Sequence, residues 1–176
     1  MRSAVRAVAV LALAGGCASD PICPSFVHIV GGDFARAGNT LSWRLQLEEL
    51  PADLTFNQSA VPAFFLEYRW AVDLDSDLDG SVDLRLALEH FAEQGASPVT
   101  TAILSATSKD LLEVQGAVAN TVGTFTASID ANTFTFETTA TAAPGLANVS
   151  ARGQSTWTTS YRWGADPDDQ CDEQLR

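Results

Sequence analysis

Hydrophobic residues recur at every second position through much of this chain. Over 64–74, Phe64, Leu66, Tyr68, Trp70, Val72 and Leu74 alternate with positions that include Glu67, Arg69 and Asp73. After a short acidic stretch the period resumes, with Val82, Leu84, Leu86 and Leu88 on one side and Asp83, Arg85 and Glu89 on the other. Such alternation places one set of side chains on each face of a pleated strand, so both segments predict strands with one buried and one wet face. They are expected to be hairpin neighbours joined by the acidic stretch.

Other segments carry the same signal. Leu41, Trp43, Leu45 and Leu47 alternate with Ser42, Arg44, Gln46 and Glu48, and Pro51 ends that run. Near the C-terminus, Ser155, Trp157, Thr159, Tyr161 and Trp163 alternate with Thr156, Thr158, Ser160 and Arg162. The pleat assigns Trp43, Trp70, Trp157, Tyr161 and Trp163 to a core. Residues 125–129 and 133–139 flank Asp130-Ala131-Asn132 and predict a hairpin. Residues 99–106 are rich in β-formers, a short strand fits near Phe56, and 111–118 suits a strand or a helical turn. Gly31-Gly32-Asp33, Ala37-Gly38-Asn39 and 95–98 read as turns, 144–148 as a loop or one helical turn, and the acidic tail 166–176 as irregular. The expected fold is all-β: an antiparallel β-sandwich, jelly-roll or immunoglobulin-like, with about eight to nine strands.

At 176 residues and 46% hydrophobic content, the chain is sized for one domain with a real core. The first 17 residues stand apart. Arg2 and Arg6 form a positive start, 7–14 is an apolar run too short to span a bilayer, and Gly15-Gly16-Cys17 follows. This order predicts an export signal, and LALAGGC resembles a bacterial lipoprotein signal, which implies lipidation of Cys17. Ordinary secretory cleavage nearby is the alternative. The expected layout is a signal over 1–17, a tether over 18–24 and one domain over 25–176.

Three cysteines in an exported chain leave one over. With Cys17 lipidated, Cys23 and Cys171 remain as a pair that would tie together the two ends of the folded region, as an oxidising compartment permits. Without Arg2 and Arg6, Lys+Arg falls from 10 to 8 against 22 Asp+Glu, a net charge of −14. Such a surface repels phosphate backbones and anionic headgroups, so nucleic acid is not an expected partner. Membrane association would come through the lipid, at the outer membrane or periplasmic face of a cell envelope, with secretion as the alternative.

The acidic stretch carries the candidate chemistry. Asp75, Asp77, Asp79, Gly80, Ser81 and Asp83 match positions 1, 3, 5, 6, 7 and 9 of a calcium loop. Carboxylates at the odd positions converge on one ion, the glycine allows the sharp turn, and the Ser81 position supplies a backbone carbonyl. Position 12 is Leu86 where a helix-loop-helix calcium site needs Glu, and the flanks are strand-like, so the loop is no such site. The expectation is a calcium ion held by Asp75, Asp77, Asp79, Asp83 and the Ser81 carbonyl; a solvated acidic turn is the plain alternative. Asp166, Asp168, Asp169 and Asp172 could complete that site or form a second one.

The pattern YxWxVDLDxDxDG over 68–80, with an alternating strand after it and a late Trp-containing strand ending in Asp, resembles bacterial secreted sandwich domains of the carbohydrate-binding-module type. That resemblance implies a jelly-roll or immunoglobulin-like sandwich with an aspartate-rich turn, and a possible extracellular protein or glycan ligand. No GxSxG, HExxH or phosphate-cradling glycine loop occurs. His28 and His90 read as structural, and Asp33, Glu67 and Glu113 as ordinary surface charge. Sequons at Asn57 and Asn148 matter only in a host that glycosylates them. The functional expectation is a non-catalytic cell-envelope module, with a glycan-binding protein and a carboxylate-dependent hydrolase as alternatives.

Overall fold

The computed structural model describes residues 23–51, 53–56, 65–92, 99–102, 107–115, 118–163 and 168–176. The signal segment with Cys17, most of the tether, Asn57, Phe64, the 95–98 turn and Asp166 lie outside them.

The all-β antiparallel expectation holds. Nine strands make one sheet: β1 (Ile29–Ala37), β2 (Thr40–Leu47), β4 (Phe65–Leu74), β5 (Leu84–Ala92), β7 (Thr107–Gln115), β8 (Val118–Asp130), β9 (Thr133–Thr139), β10 (Ser155–Arg162) and β11 (Gln170–Leu175). A separate two-stranded sheet pairs β3 (Asp53–Phe56) with β6 (Val99–Ala102). The large sheet runs in the order β1-β2-β9-β8-β7-β5-β4-β10-β11, every pairing antiparallel. Curling brings its two ends together and leaves it nearly closed, with β1 beside β10 and β11. Two short 3-10 turns, Leu146–Asn148 and Arg152–Gln154, interrupt the connection into β10.

The alternating residues supply the core. Leu41, Trp43, Leu45 and Leu47 of β2 are fully buried, as are Val72, Leu74, Leu86, Phe134, Phe136 and Trp157. Burying each such side chain contributes about 1.5–3 kcal/mol relative to leaving it exposed. Two core indoles find hydrogen-bond acceptors: Trp43 Nε1 donates to Ser155 Oγ at 2.9 Å and Trp70 Nε1 to the Phe26 carbonyl at 3.0 Å. Tyr161 and Trp163, also expected in the core, are half-buried, their rings 5.7 Å apart.

The polar face of β4 and β5 forms cross-strand ion pairs. Arg85 opposes Asp73 and bonds it through two nitrogens, at 2.6 and 2.9 Å, and Arg69 opposes Glu89 at 2.6 Å. That hydrogen bond to Asp73 raises the Arg85 pKa above its ordinary value despite the opposing effect of burial. These pairs flank an outer-face groove of about 370 Å³ whose other wall includes Asp172 and Gln174 of β11.

Three expectations need correction. The tail is not irregular: 170–175 form β11, with Cys171 buried and Leu175 packed against the core. Asp172 faces outward on this edge strand, a common defence against edge-to-edge pairing, while Glu173 stands on the side of Cys171 and Leu175 where alternation would call for an apolar residue, which masks the pattern. Gly31-Gly32-Asp33 is not a turn but part of β1, where a bulge leaves Val30 unpaired and exposed. Glu67 is not surface charge. A second bulge, between Leu66 and Tyr68 of β4, shifts the register against β5 at Glu67, and its side chain is fully buried with Oε2 3.7 Å from His90 Nε2.

The predicted Cys23–Cys171 disulfide is formed. It crosses the seam between β1 and β11, where no backbone ladder runs. Side chains bind backbone there instead. Glu173 Oε2 accepts the Ile29 N–H at 2.8 Å, Thr159 Oγ1 donates to the Val27 carbonyl at 2.5 Å, and Arg152 Nε donates to the Gly32 carbonyl at 2.9 Å. His28 Nδ1 lies 3.4 Å from the same Glu173 oxygen.

Candidate metal centre

The acidic loop spans 75–83, between the last residue of β4 and the first of β5. Its ends are fixed. Leu74 opposes Leu84 in the ladder, the Asp83 N–H donates to the Leu74 carbonyl at 2.8 Å, and the Asp75 N–H donates to the Gln154 carbonyl at 3.0 Å. Two residues take positive φ to complete the turn, Leu78 at 63° and Gly80 at 94°. The glycine does so without cost, whereas Leu78 bears a steric penalty there and is 65% exposed.

Backbone donors organise the carboxylates. Asp75 accepts the N–H groups of Asp79 at 3.1 Å and Gly80 at 2.9 Å, one on each oxygen. Asp83 Oδ2 accepts the Ser76 N–H at 2.8 Å and the Ser76 hydroxyl at 2.6 Å. Asp77 Oδ1 accepts the Asp79 N–H at 3.2 Å. One oxygen from each of Asp75, Asp77 and Asp83 then lies within 4.8 Å of the other two. Three convergent hard oxygens suit a hard cation such as calcium, and a carboxylate oxygen with one lone pair in a hydrogen bond keeps another for a metal.

Two predicted ligands stand differently. Asp79 lies outside that group of three, and its Oδ1 accepts the Ser81 N–H at 2.7 Å. Ser81 is exposed, and its carbonyl is the remaining backbone donor of the predicted set. Among the described residues of the acidic tail, Asp168, Asp169 and Asp172 do not complete the site. The loop sits beside Ser155, at the start of β10, while Asp172 opposes Ser160 five positions further on, about 17 Å away at strand rise. Asp168 and Asp169 precede Gln170, which opposes Arg162 at the far end of that strand.

Gln154 is a supporting residue that alternation could not reveal. Its buried side chain accepts the Ser150 and Ala151 N–H groups at 2.8 and 3.2 Å and donates to the Ser76 and Asn148 carbonyls at 2.9 and 3.1 Å. One amide therefore fastens the acidic loop to the turn before β10. Gly145 lies against the same place, where an added β-carbon would stand 3.1 Å from Ser76 Oγ. A lone Gln between Gly and Ser has no periodicity to betray it.

No family model, curated protein or solved structure matches this chain. Among the described residues, the exposed large hydrophobic side chains are Val30, Leu78 and Val118, none of them aromatic.

Proposed function

We propose that this protein is a non-catalytic binding or structural module of the cell envelope, tethered by lipid at Cys17, with calcium bound in the 75–83 loop. The observation that carries the metal reading is the convergence of the Asp75, Asp77 and Asp83 carboxylates on a turn whose two ends are fixed by β4, β5 and Gln154. Asp79 and the Ser81 carbonyl would complete the ligand set from the same loop. The Cys23–Cys171 bridge supports an oxidising compartment. Burial of Trp43, Trp70 and Trp157 favours this reading over a glycan-binding one, because those indoles offer no stacking platform.

Without a twelfth-position carboxylate, affinity should fall in the extracellular range, roughly 0.1–1 mM. At about 1 mM free calcium and a dissociation constant near 0.1 mM, the gain in stability is only about 1.4 kcal/mol. The role is therefore local, holding the turn so that β4 and β5 keep their register. Magnesium should substitute poorly, since it demands tighter octahedral geometry and releases its waters reluctantly.

Calorimetry with calcium, and thermal melts with calcium or chelator, test this on the wild type and on Asp77→Asn/Asp79→Asn. Binding lost in the variant is expected. No heat at millimolar calcium, with superimposable melts, would reduce the loop to an acidic turn. Separately, Cys17→Ser should abolish membrane fractionation; unchanged partition would remove the lipid anchor.

A further inference from the structure

The segment before β1 belongs to the opposite end of the sheet. Residues 23–28 form a turn, closed by the Val27 N–H to the Pro24 carbonyl at 2.9 Å and the His28 N–H to the Ser25 carbonyl at 3.2 Å. Their side-chain and carbonyl contacts reach β4, β10 and β11, whereas β1 itself is laddered to β2. The Phe26 ring lies 5.7 Å from Tyr68 and 5.2 Å from Tyr161, edge-on to the latter. Beneath it, Tyr68 stacks on Tyr161 at 4.9 Å and on Trp70 at 5.7 Å, an aromatic face that Phe26 covers. Val27, 2% exposed, is buried next to it.

Cross-strand register lines the bridge up with this face. Cys171 opposes Tyr161, and Tyr161 opposes Tyr68, so one row leads from the disulfide to the stacked rings. Apart from the disulfide, the segment is held across the seam by two hydrogen bonds, Trp70 to the Phe26 carbonyl and Thr159 to the Val27 carbonyl, by the His28–Glu173 pair at 3.4 Å and by its two apolar side chains. After β2, the Glu48 N–H donates to the His28 carbonyl at 2.9 Å and Ser25 Oγ to Glu49 Oε2 at 3.2 Å. The strands on either side depend on the bridge for none of their ladder. β1 has β2, and β11 has six paired positions on β10. Breaking the bridge leaves residues 23–28 joined covalently to the sheet only through β1, so their noncovalent contacts alone oppose the entropy of ordering six residues.

We propose that residues 23–28 are a redox-latched strap over the Tyr68–Tyr161 face, released while the nine-stranded sheet stays intact when a dithiol reductant converts Cys23–Cys171 to two thiols and is itself oxidised to a disulfide. Release uncovers a stacked aromatic surface that the oxidised protein hides.

Hydrogen exchange on the full chain tests this, comparing the oxidised protein, the reduced and alkylated protein, and Cys23→Ser/Cys171→Ser. Peptides covering 23–29 should exchange about tenfold faster or more once the bridge is gone, as a local opening requires, with β2, β4, β8 and β9 unchanged. Binding of the apolar dye ANS should rise with it, and should also rise in oxidised Phe26→Ala, where the face is bared with the latch closed. Unchanged exchange over 23–29 on reduction would overturn the proposal. So would acceleration across every strand, which would make the bridge a global brace. Failure of oxidised Phe26→Ala to raise ANS binding would show that Phe26 covers no binding surface.

Discussion

Gly32 lies against the indole of Trp157, so close that a β-carbon at position 32 would stand 2.6 Å from Trp157 Cδ2. The Arg152 guanidinium sits 4.9 Å from the centre of the same ring and donates to the Gly32 carbonyl. Strand β1 can therefore approach β10 only because residue 32 has no side chain. The sheet closes over a tryptophan.

Gly32→Ala should accordingly force Trp157 or β1 to shift and cost about 1–3 kcal/mol, the usual range for overpacking. Gly153→Ala is the control, since a β-carbon there meets nothing within 4 Å, and it should change stability by about 0.5 kcal/mol or less. Urea midpoints for the two variants check this; equal midpoints would mean the seam is loose enough to absorb a methyl group.

Arg85 and Asp73 form a two-point ion pair with the Asp73 side chain largely out of water. Arg85→Ala strands that carboxylate, and a loss of about 2–3 kcal/mol is expected. Asp73→Ala/Arg85→Ala should recover part of it. A double-mutant cycle gives the coupling directly, and additive single losses would show that the pair is worth no more than an exposed one.

Burial, and next the neighbouring Tyr161 and Glu67, push the Tyr68 hydroxyl well above its ordinary range. The folded state thus holds this proton where the unfolded chain releases it, near pH 10. The resulting stability is fully present below that pH and lost above it, by about 1.4 kcal/mol per pH unit for one proton. Denaturant melts between pH 8 and 11.5 should show that slope, reduced by one proton's worth in Tyr68→Phe. Identical slopes in the two proteins would locate the alkaline loss elsewhere.

Gln154→Ala removes both acceptor and donor from four backbone groups beside the acidic loop. The expected cost is about 2–4 kcal/mol. Gln154→Glu keeps the two accepted bonds but presents an oxygen to the Ser76 and Asn148 carbonyls, and should fall at least as low in thermal melts. Wild-type melting of the Glu variant would mean that those two donated bonds contribute nothing.

The strands that alternate cleanly were legible because each buries one face of a regular ladder: 41–47, 68–74, 84–88 and 155–161 all put their predicted apolar side chains inward. Bulges were not, because an inserted residue breaks the parity that makes a strand readable, and this is how Glu67 reached the interior. Strand β11 was hidden by its charges, and β1 by a pair of glycines, of which Gly32 makes room for a tryptophan 125 positions away. In the acidic loop the Asp spacing and Gly80 foretold the turn, while the hydrogen bond that draws Asp79 to Ser81 depends on the conformation adopted. The partnership of Cys23 with Cys171 followed from counting once Cys17 was assigned elsewhere.

The strand order also sets a timetable. A chain emerging N-terminus first can pair β1 with β2, and β4 with β5, as soon as each hairpin is made. Strand β2 must then wait for β9, and β4 for β10, so both halves carry an open hydrogen-bonding edge until most of the chain is available. Pairing across such sequence distances is slow, because the loop must close before any contact rewards it. Cys23, among the earliest of the described residues to appear, has its partner 148 positions later, in the last strand of the sheet. The bond that joins them can form only after every earlier strand of the sheet has been synthesised, which makes this a sheet that closes as a whole or waits.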